Sequence, residues 1–271
     1  MQSETMQDRL ALIGFGEAGS TFARAAGWGD RAAAFDVDAA RGAVMAECGV
    51  RQARTVDEAF AGVGFVLSLV TADQAERVAR HYAPFLVPGT LWCDCNSVAP
   101  ETKRKAALAV EAAGGRYVDV AVLAPVDPAR LAVPLLISGA AAADAEAALR
   151  RAGFSNIRQV GEEVGRASAI KMIRSVMVKG LEALTAEMML GAEAADVTDE
   201  VLASLDASEK PRPWAERAAY NLERMATHGL RRAAEMEESA KTLSALGVEP
   251  IMTAGTVRRQ REQAGKPFGR D

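Results

Sequence analysis

Three glycines, an acid and a basic helical face are the residues of this chain whose types and spacing could do chemistry. Gly14-x-Gly16-x-x-Gly19 stands directly after the apolar run Leu10-Ala-Leu-Ile13 and opens a helical pattern over 18–26. In that strand–turn–helix setting the first glycine permits a tight turn, the second lets backbone approach a pyrophosphate, and the third lets the helix pack close to the strand. The helix start then presents free N–H groups and the positive end of its dipole to phosphates, with Phe15, Glu17 and Ala18 in the same loop. Asp36 ends the next apolar run, 32–35, about 20 residues on, where a carboxylate accepts hydrogen bonds from an adenosine ribose. Together these residues read as a site for NAD or NADP. Asp36 favours NAD slightly, because its charge repels a 2′-phosphate, although the nearby Arg41 offsets part of that charge. The plainer reading is a βα turn followed by an Asp36-Val-Asp38 helix cap.

The second group is Lys171, Arg174, Ser175 and Lys179, at i, i+3, i+4 and i+8 on one helical face. Like charges stacked in this way repel, and they make sense around an anion such as a carboxylate, phosphate or phosphonate. Alternatively they form a solvated basic stripe, or pair with Glu162, Glu182 or Glu187. Hydride transfer to or from a nicotinamide needs a group that moves a proton at the substrate oxygen. Lys171 is the candidate, against the alternative of a lysine snorkelling at the helix surface. Desolvation and neighbouring cations lower a lysine pKa toward a useful range.

These groups need elements to hold them. Short apolar runs at 10–13, 32–35, 65–69, 91–95, 117–122, 135–138 and 157–160 alternate with helical patterns at 39–48, 56–61, 73–81, 100–113 and 141–152. Alternation of this kind predicts an α/β fold, a Rossmann-type doubly wound, mostly parallel sheet. Ligands bind such a sheet at the carboxyl ends of its strands. Val70 and Thr71, after the third run, should therefore line the ribose side of a cofactor, while Ser68 lies within the strand. Asn96 and Ser97, after the fourth, could meet nicotinamide or substrate, unless Ser97 merely caps the helix that begins at Pro100. Asp119 should organise its loop rather than do chemistry, and Val122, Leu123 and Ala124 should form an apolar wall.

From 165 to 190 there is no turn signal, and Ile170, Ile173, Met177, Leu181, Leu184 and Met188 recur at helical spacing. A helix there is about 40 Å long, a length suited to a domain boundary or a subunit interface. Further helices are expected at 199–205, 213–227, 228–246 and 253–263, with a break at Lys210-Pro-Arg-Pro213 and a frayed polar tail over 263–271. The chain thus divides into a dinucleotide-binding domain, 1–164, and an all-α domain for substrate binding and dimerisation, 165–271, joined by the long helix.

Composition closes off other classes. A net charge of −4 gives no electrostatic case for nucleic acid. No apolar stretch suits a membrane span, and the first residues lack the apolar core of a signal peptide. Three cysteines, Cys48, Cys93 and Cys95, suggest no disulfide framework and fit a cytoplasmic setting, with Cys93 and Cys95 as buried strand thiols. Two histidines, His81 and His228, leave no metal site to expect and make a Ser–His–acid triad a poor fit.

Four blocks make the chain resemble the β-hydroxyacid dehydrogenase family, which includes 6-phosphogluconate and 3-hydroxyisobutyrate dehydrogenases. They are Gly14-Phe-Gly-Glu-Ala-Gly19, Asp94-Cys-Asn-Ser97-Val-Ala-Pro100, Tyr117-Val-Asp119-Val-Ala-Val-Leu-Ala-Pro125, and Gly161-x-x-x-Gly165-x-Ala-x-x-x-Lys171. The segment His228-Gly-Leu-Arg-Arg-Ala-Ala-Glu-Met-Glu-Glu238 is similar to a less characterised, phosphogluconate-dehydrogenase-like branch. The resemblance implies an NAD(P)-dependent oxidoreductase acting on a small anionic hydroxy or oxo compound, with Lys171 as general acid/base. Beside it, strand-end position and helical spacing offer Ser97, Arg174 and Ser175 as catalytic or substrate contacts, Val122, Leu123 and Ala124 shape an apolar wall, and His228 and Arg232, four apart, could close the site from the helical domain; the family and the helix length imply a homodimer. The chain departs from the family at three places. Leu123-Ala124-Pro125 replaces the family's Ser-Gly-Gly carboxylate clamp, Arg174 replaces an Asn, and Arg232 stands where the family has a second lysine. The lost clamp keeps an imine reductase-like activity open, and a protein that binds NAD(H) without turnover is a third reading.

Overall fold

The structure, a computed structural model, describes residues 9–208 and 211–266. Lys210 of the expected break, and residues 267–271 of the expected tail, lie outside the described residues. The chain forms two compact units, 1–174 and 175–271.

In the first unit the apolar runs become strands, and those at the centre of the sheet are buried on both faces. The strands are β1 (Leu10–Ile13), β2 (Ala32–Phe35), β3 (Arg51–Gln52), β4 (Phe65–Ser68), β5 (Leu91–Asp94), β6 (Arg116–Val122), β7 (Leu135–Ser138) and β8 (Ile157–Gln159). They make one sheet in the order β3-β2-β1-β4-β5-β6-β7-β8. All pairings are parallel except that of β6 with β7. Leu10 and Leu12 enter one core cluster, with Leu67, Cys93 and Val118, while Ala11 and Ile13 enter the other, with Val66, Trp92 and Tyr117. This is the two-residue period of a strand covered on both sides. Helices α1 (Glu17–Ala26), α2 (Arg41–Glu47), α3 (Val56–Phe60), α4 (Ala75–Tyr82), α5 (Pro100–Ala112) and α6 (Ala142–Arg151) supply the cover.

The polar pair Arg51–Gln52 carries no apolar signal, yet it extends the sheet as β3 by pairing with Ala33 and Ala34. Across the fold, the Trp28 indole N–H donates to the Ala152 carbonyl at 2.9 Å, tying the end of α1 to the end of α6.

Helix α7 (Arg166–Ala194) runs unbroken for 29 residues, and the division between the units falls within it. The second unit adds α8 (Thr198–Ser208), α9 (Trp214–Ala245) and α10 (Ile251–Gln263). Two helices expected at 213–227 and 228–246 are in fact one, α9, of 32 residues. Gly229 does not break it. A Cβ at Gly229 would lie 2.4 Å from the Gln260 carbonyl oxygen, so this glycine allows α10 to pack hard against α9. Gly191 plays the same part in α7, where a Cβ would meet the Leu243 side chain at 2.4 Å.

Candidate active site

The glycine loop is shaped by crowding on one side and space on the other. Gly14 has φ +89°, and a Cβ there would sit 2.6 Å from the Leu69 carbonyl oxygen at the end of β4. At Gly19 it would sit 3.0 Å from the Gly14 carbonyl oxygen. At Gly16 it would meet nothing within 4 Å. Gly16 is also the N-cap of α1 and gives it no side-chain cap. Open space over bare helix N–H groups fits a pyrophosphate, so the loop suits the cofactor that its motif implies.

Asp36 closes the loop from below. Its carboxylate accepts from the Phe15 N–H at 2.6 Å and from the Asp38 N–H at 2.9 Å. The Phe15 side chain lies wholly in the core, as part of the same cluster that Ala18 packs against, so Phe15 offers only backbone here. Glu17 opens α1 with an exposed side chain.

A cavity of about 480 Å³ lies against this loop, and the sequence-expected residues Gly14, Gly16, Asp36, Val70 and Thr71 line it together. Its far wall comes from α4 and the turn before it, through Gln74, Arg77, His81 and Tyr82. The sequence reading missed this wall, although 74, 77, 78 and 81 repeat at helical spacing. Tyr82 packs edge-on against Phe35 at 5.9 Å, which fixes one side of the opening. Arg41 also lines the cavity and pairs with Asp38 at 3.5 Å.

Of the second group, Lys171 meets the chain just beyond the end of β5. Lys171 Nζ donates a hydrogen bond to Ser97 Oγ. The first residues of α5 follow Ala99, which gives no side-chain cap. The Ser97 hydroxyl is therefore turned to the lysine and not spent on the helix start. Arg174 Nη1 donates to the Leu123 carbonyl at 3.3 Å, which brings the expected apolar wall beside the basic face. Val122 and Leu123 are half-buried and Ala124 is exposed. Asn96 is buried, its Nδ2 donating to Ser68 Oγ at 3.0 Å, while its Oδ1 has no partner among the described residues. A buried amide oxygen left open at the carboxyl edge of the sheet is a place for a ligand N–H or O–H.

Beneath these residues lies a buried polar network that the sequence reading did not see. Lys103, on the first turn of α5, is fully buried. Its Nζ donates to the Asp94 carbonyl oxygen at 2.6 Å and to Asp94 Oδ1 at 2.9 Å, and it faces Asp119 Oδ1 at 3.4 Å. Asp94 also accepts from Tyr117 Oη at 2.6 Å and from the Asn96 N–H at 2.9 Å. Burial alone pushes the Lys103 ammonium toward neutrality, but the charges of Asp94 and Asp119 outweigh it and hold its pKa above the ordinary lysine value. Burial, with the Asp94 charge, pushes the Tyr117 phenol well up. Asp119 Oδ2 accepts from the Ser168 N–H at 2.9 Å, and Ser138 Oγ accepts from the Ala167 N–H at 3.0 Å. Both donors belong to the first turn of α7. Cys95, beside this network, has its thiol pushed up to about 12 by burial and so stays protonated at neutral pH.

Ser175, His228 and Arg232 belong to the second unit. There Arg232 lines a cavity of about 420 Å³ with Tyr220, Asn221, Arg224 and Gln260, and His228 is exposed one turn before it on α9. Glu187, offered by the sequence as a partner for the basic face, instead accepts from the Met252 N–H at 2.6 Å and from the Thr253 N–H and hydroxyl at 2.8 and 2.6 Å.

Comparison with known proteins settles the lineage. Residues 9–156 match the model of the NAD binding domain of 6-phosphogluconate dehydrogenase. The chain belongs to that family. Residues 192–263 match a domain of unknown function, DUF1932. A conserved hypothetical protein from Sinorhizobium meliloti 1021 is 37% identical, with 96% of this chain and 89% of that one covered and a TM-score of 0.64. A second structure, of a conserved protein of unknown function described as similar to 3-hydroxyacid dehydrogenases, is 29% identical over 94% of this chain and 96% of that one, with a TM-score of 0.60. An imine reductase variant from Myxococcus stipitatus, solved with NAD+, shares the fold at 20% identity, 94% and 92% coverage and a TM-score of 0.77. This member of the 6-phosphogluconate dehydrogenase family therefore carries an NAD(P)-binding, hydroxyacid dehydrogenase-like fold, and among the described residues no helix is long and apolar enough to cross a membrane.

Proposed function

We propose that the protein is an NAD(P)-dependent oxidoreductase that moves a hydride between nicotinamide and a small anionic hydroxy or oxo compound. The substrate class is a hydroxy acid or an alcohol bearing phosphate or phosphonate. The observation that carries this reading is the Lys171–Ser97 hydrogen bond at the carboxyl edge of a sheet whose first loop fits a dinucleotide. Bound nicotinamide supplies or accepts the hydride. The Lys171 ammonium gives a proton to the carbonyl oxygen as it gains charge, and in the reverse direction the amine takes the hydroxyl proton. Ser97, which accepts from Lys171, donates its own O–H to the same substrate oxygen. Arg174, held over the Leu123 carbonyl, pairs with the substrate anion at the place where the family's Ser-Gly-Gly is missing. Asp36 gives NAD a slight advantage over NADP.

We also propose a homodimer in a reducing, cytoplasmic setting. Ile173 and Val176 on α7 are 73% and 76% exposed, and Leu184 and Leu190 continue the apolar row along the helix. A row of this kind is costly in water and suits a second copy. A monomer by light scattering at micromolar concentration would sink that assembly.

Fluorescence titration with NADH and NADPH, followed by a screen of small oxo acids and phosphonates for loss of reduced cofactor, tests the main reading. Lys171→Ala should keep NADH binding and lose about 10²–10⁴-fold in turnover. Unchanged turnover removes the role given to Lys171. Binding without any turnover across the panel favours a non-catalytic NAD(H)-binding protein. An imine reductase-like activity is the second reading, supported by the apolar Leu123-Ala124-Pro125 in place of a carboxylate clamp. Reduction of a cyclic imine faster than of any oxo acid in the panel would select it.

A further inference from the structure

We infer that Lys103, fully buried on the first turn of α5, is the residue that positions Lys171 and Ser97 against one another. This rests on the reading of Lys171 as the working amine. The Lys103 ammonium donates to two oxygens of one residue, the Asp94 carbonyl at 2.6 Å and Asp94 Oδ1 at 2.9 Å, and forms an ion pair, without a hydrogen bond, with Asp119 Oδ1 at 3.4 Å. The first two fix the end of β5, from which the chain runs through the buried Asn96 to Ser97. Asp94 grips that turn a second time, since its Oδ1 takes the Asn96 N–H. The third contact fixes Asp119, whose other oxygen takes the Ser168 N–H in the first turn of α7. Lys171 is the next residue but two along that helix, close to one turn from Ser168. One buried cation thus grips both halves of the Lys171–Ser97 pair, which otherwise sit on elements 74 residues apart.

The charges explain why the position is a lysine. Asp94 and Asp119 are 1% and 0% exposed and come from neighbouring strands, paired in register. Two buried carboxylates at that spacing cannot both stay ionised without a cation between them. Tyr117 contributes a hydrogen bond but no charge. With Lys103 neutralised by substitution, one carboxyl takes a proton or turns away. The acceptor at Ser168 or the grip on Asn96 is then weakened, and the pair loses its geometry without losing either member.

The test does not need the substrate. Trinitrobenzenesulfonate labels free lysine amines, and peptide mass spectrometry reads the rate at each one. Lys103→Met should change the labelling rate at Lys171 by about threefold or more, while the rate at the exposed Lys179 and the NADH dissociation constant hold. A rate at Lys171 equal to that of the unaltered protein overturns the inference. If Lys103→Met fails to fold, Asp119→Asn is read in its place; it keeps an oxygen for Ser168 and removes the charge that Lys103 faces. A Lys171 rate changed to the same extent supports the inference, and an unchanged rate overturns it. Once a substrate is found, Lys103→Met should lower kcat with KM nearly unchanged. A chain that turns over nothing would sink the enzymatic reading yet leave the labelling result standing, so the two failures are distinguishable.

Discussion

Two helices of this chain start against a buried carboxylate, and the two carboxylates are stabilised in different ways. Asp119 receives the head of α7 and is opposed by a whole charge, Lys103. Glu187 receives the head of α10 with two backbone N–H groups and a threonine hydroxyl, and no cation pairs with it among the described residues. Burial pushes the Glu187 carboxyl up, but those donors and the helix start outweigh it and hold its pKa below the usual carboxylate range. The first arrangement couples three strands, a loop and two helices through one point. The second couples only two helices. A counter-charge is thus found where several elements must agree on one geometry, and dipoles suffice where a scaffold helix must merely be seated.

The contrast can be broken by substitution. Lys103→Met leaves two buried carboxylates facing each other and should cost about 3–5 kcal/mol of unfolding free energy, measured by urea denaturation; a loss below about 1 kcal/mol would mean that the cation is not needed for the fold. Glu187→Gln keeps one acceptor oxygen and should cost less, about 1–3 kcal/mol. If the glutamine variant proved the worse of the two, dipoles alone would be doing more than a full ion pair. Tyr117→Phe removes one donor from Asp94 and should cost about 1.5 kcal/mol.

Titration sharpens the same contrast at opposite ends of the pH scale. Lys103 and Tyr117 both hold their protons more tightly when folded, so above pH about 10 the unfolded chain binds fewer protons and stability falls as pH rises. Lys103→Met and Tyr117→Phe should each flatten that alkaline decline in a series of melting curves. Glu187 has a depressed folded pKa, so its contribution is present above the ordinary carboxylate value and is lost as pH falls through the folded one. Glu187→Gln should flatten the acid limb and leave the alkaline limb alone, the smallest effect expected here.

Much of the fold was legible because it is local. Strands buried on both faces read as unbroken apolar runs, and the glycine loop reads directly from spacing. β3 was not legible, because Arg51 and Gln52 join the sheet by backbone alone. α9 was divided in the reading at 227/228, and the purpose of Gly229 just beyond that point is visible only with α10 in place. At the site, the cavity lining from Gly14, Asp36, Val70 and Thr71 followed from the strand-end rule. Lys103 did not, since its partners Asp94 and Asp119 lie on separate strands and no periodicity links them. The actual partner of Glu187, offered only as one alternative for the basic face, was hidden for the same reason: a partner 65 residues away leaves no trace in a helical wheel.

The short contact between the Phe15 N–H and Asp36 has a practical consequence for redesign. The acid expected to choose between the two nicotinamide carriers is also a strut of the phosphate loop. Exchanging it for a neutral residue to admit the phosphorylated carrier should loosen the grip on both carriers alike. A successful switch of preference therefore needs two changes at once: a neutral side chain that still accepts from that amide, and a new positive group, for which Arg41 is the nearest raw material.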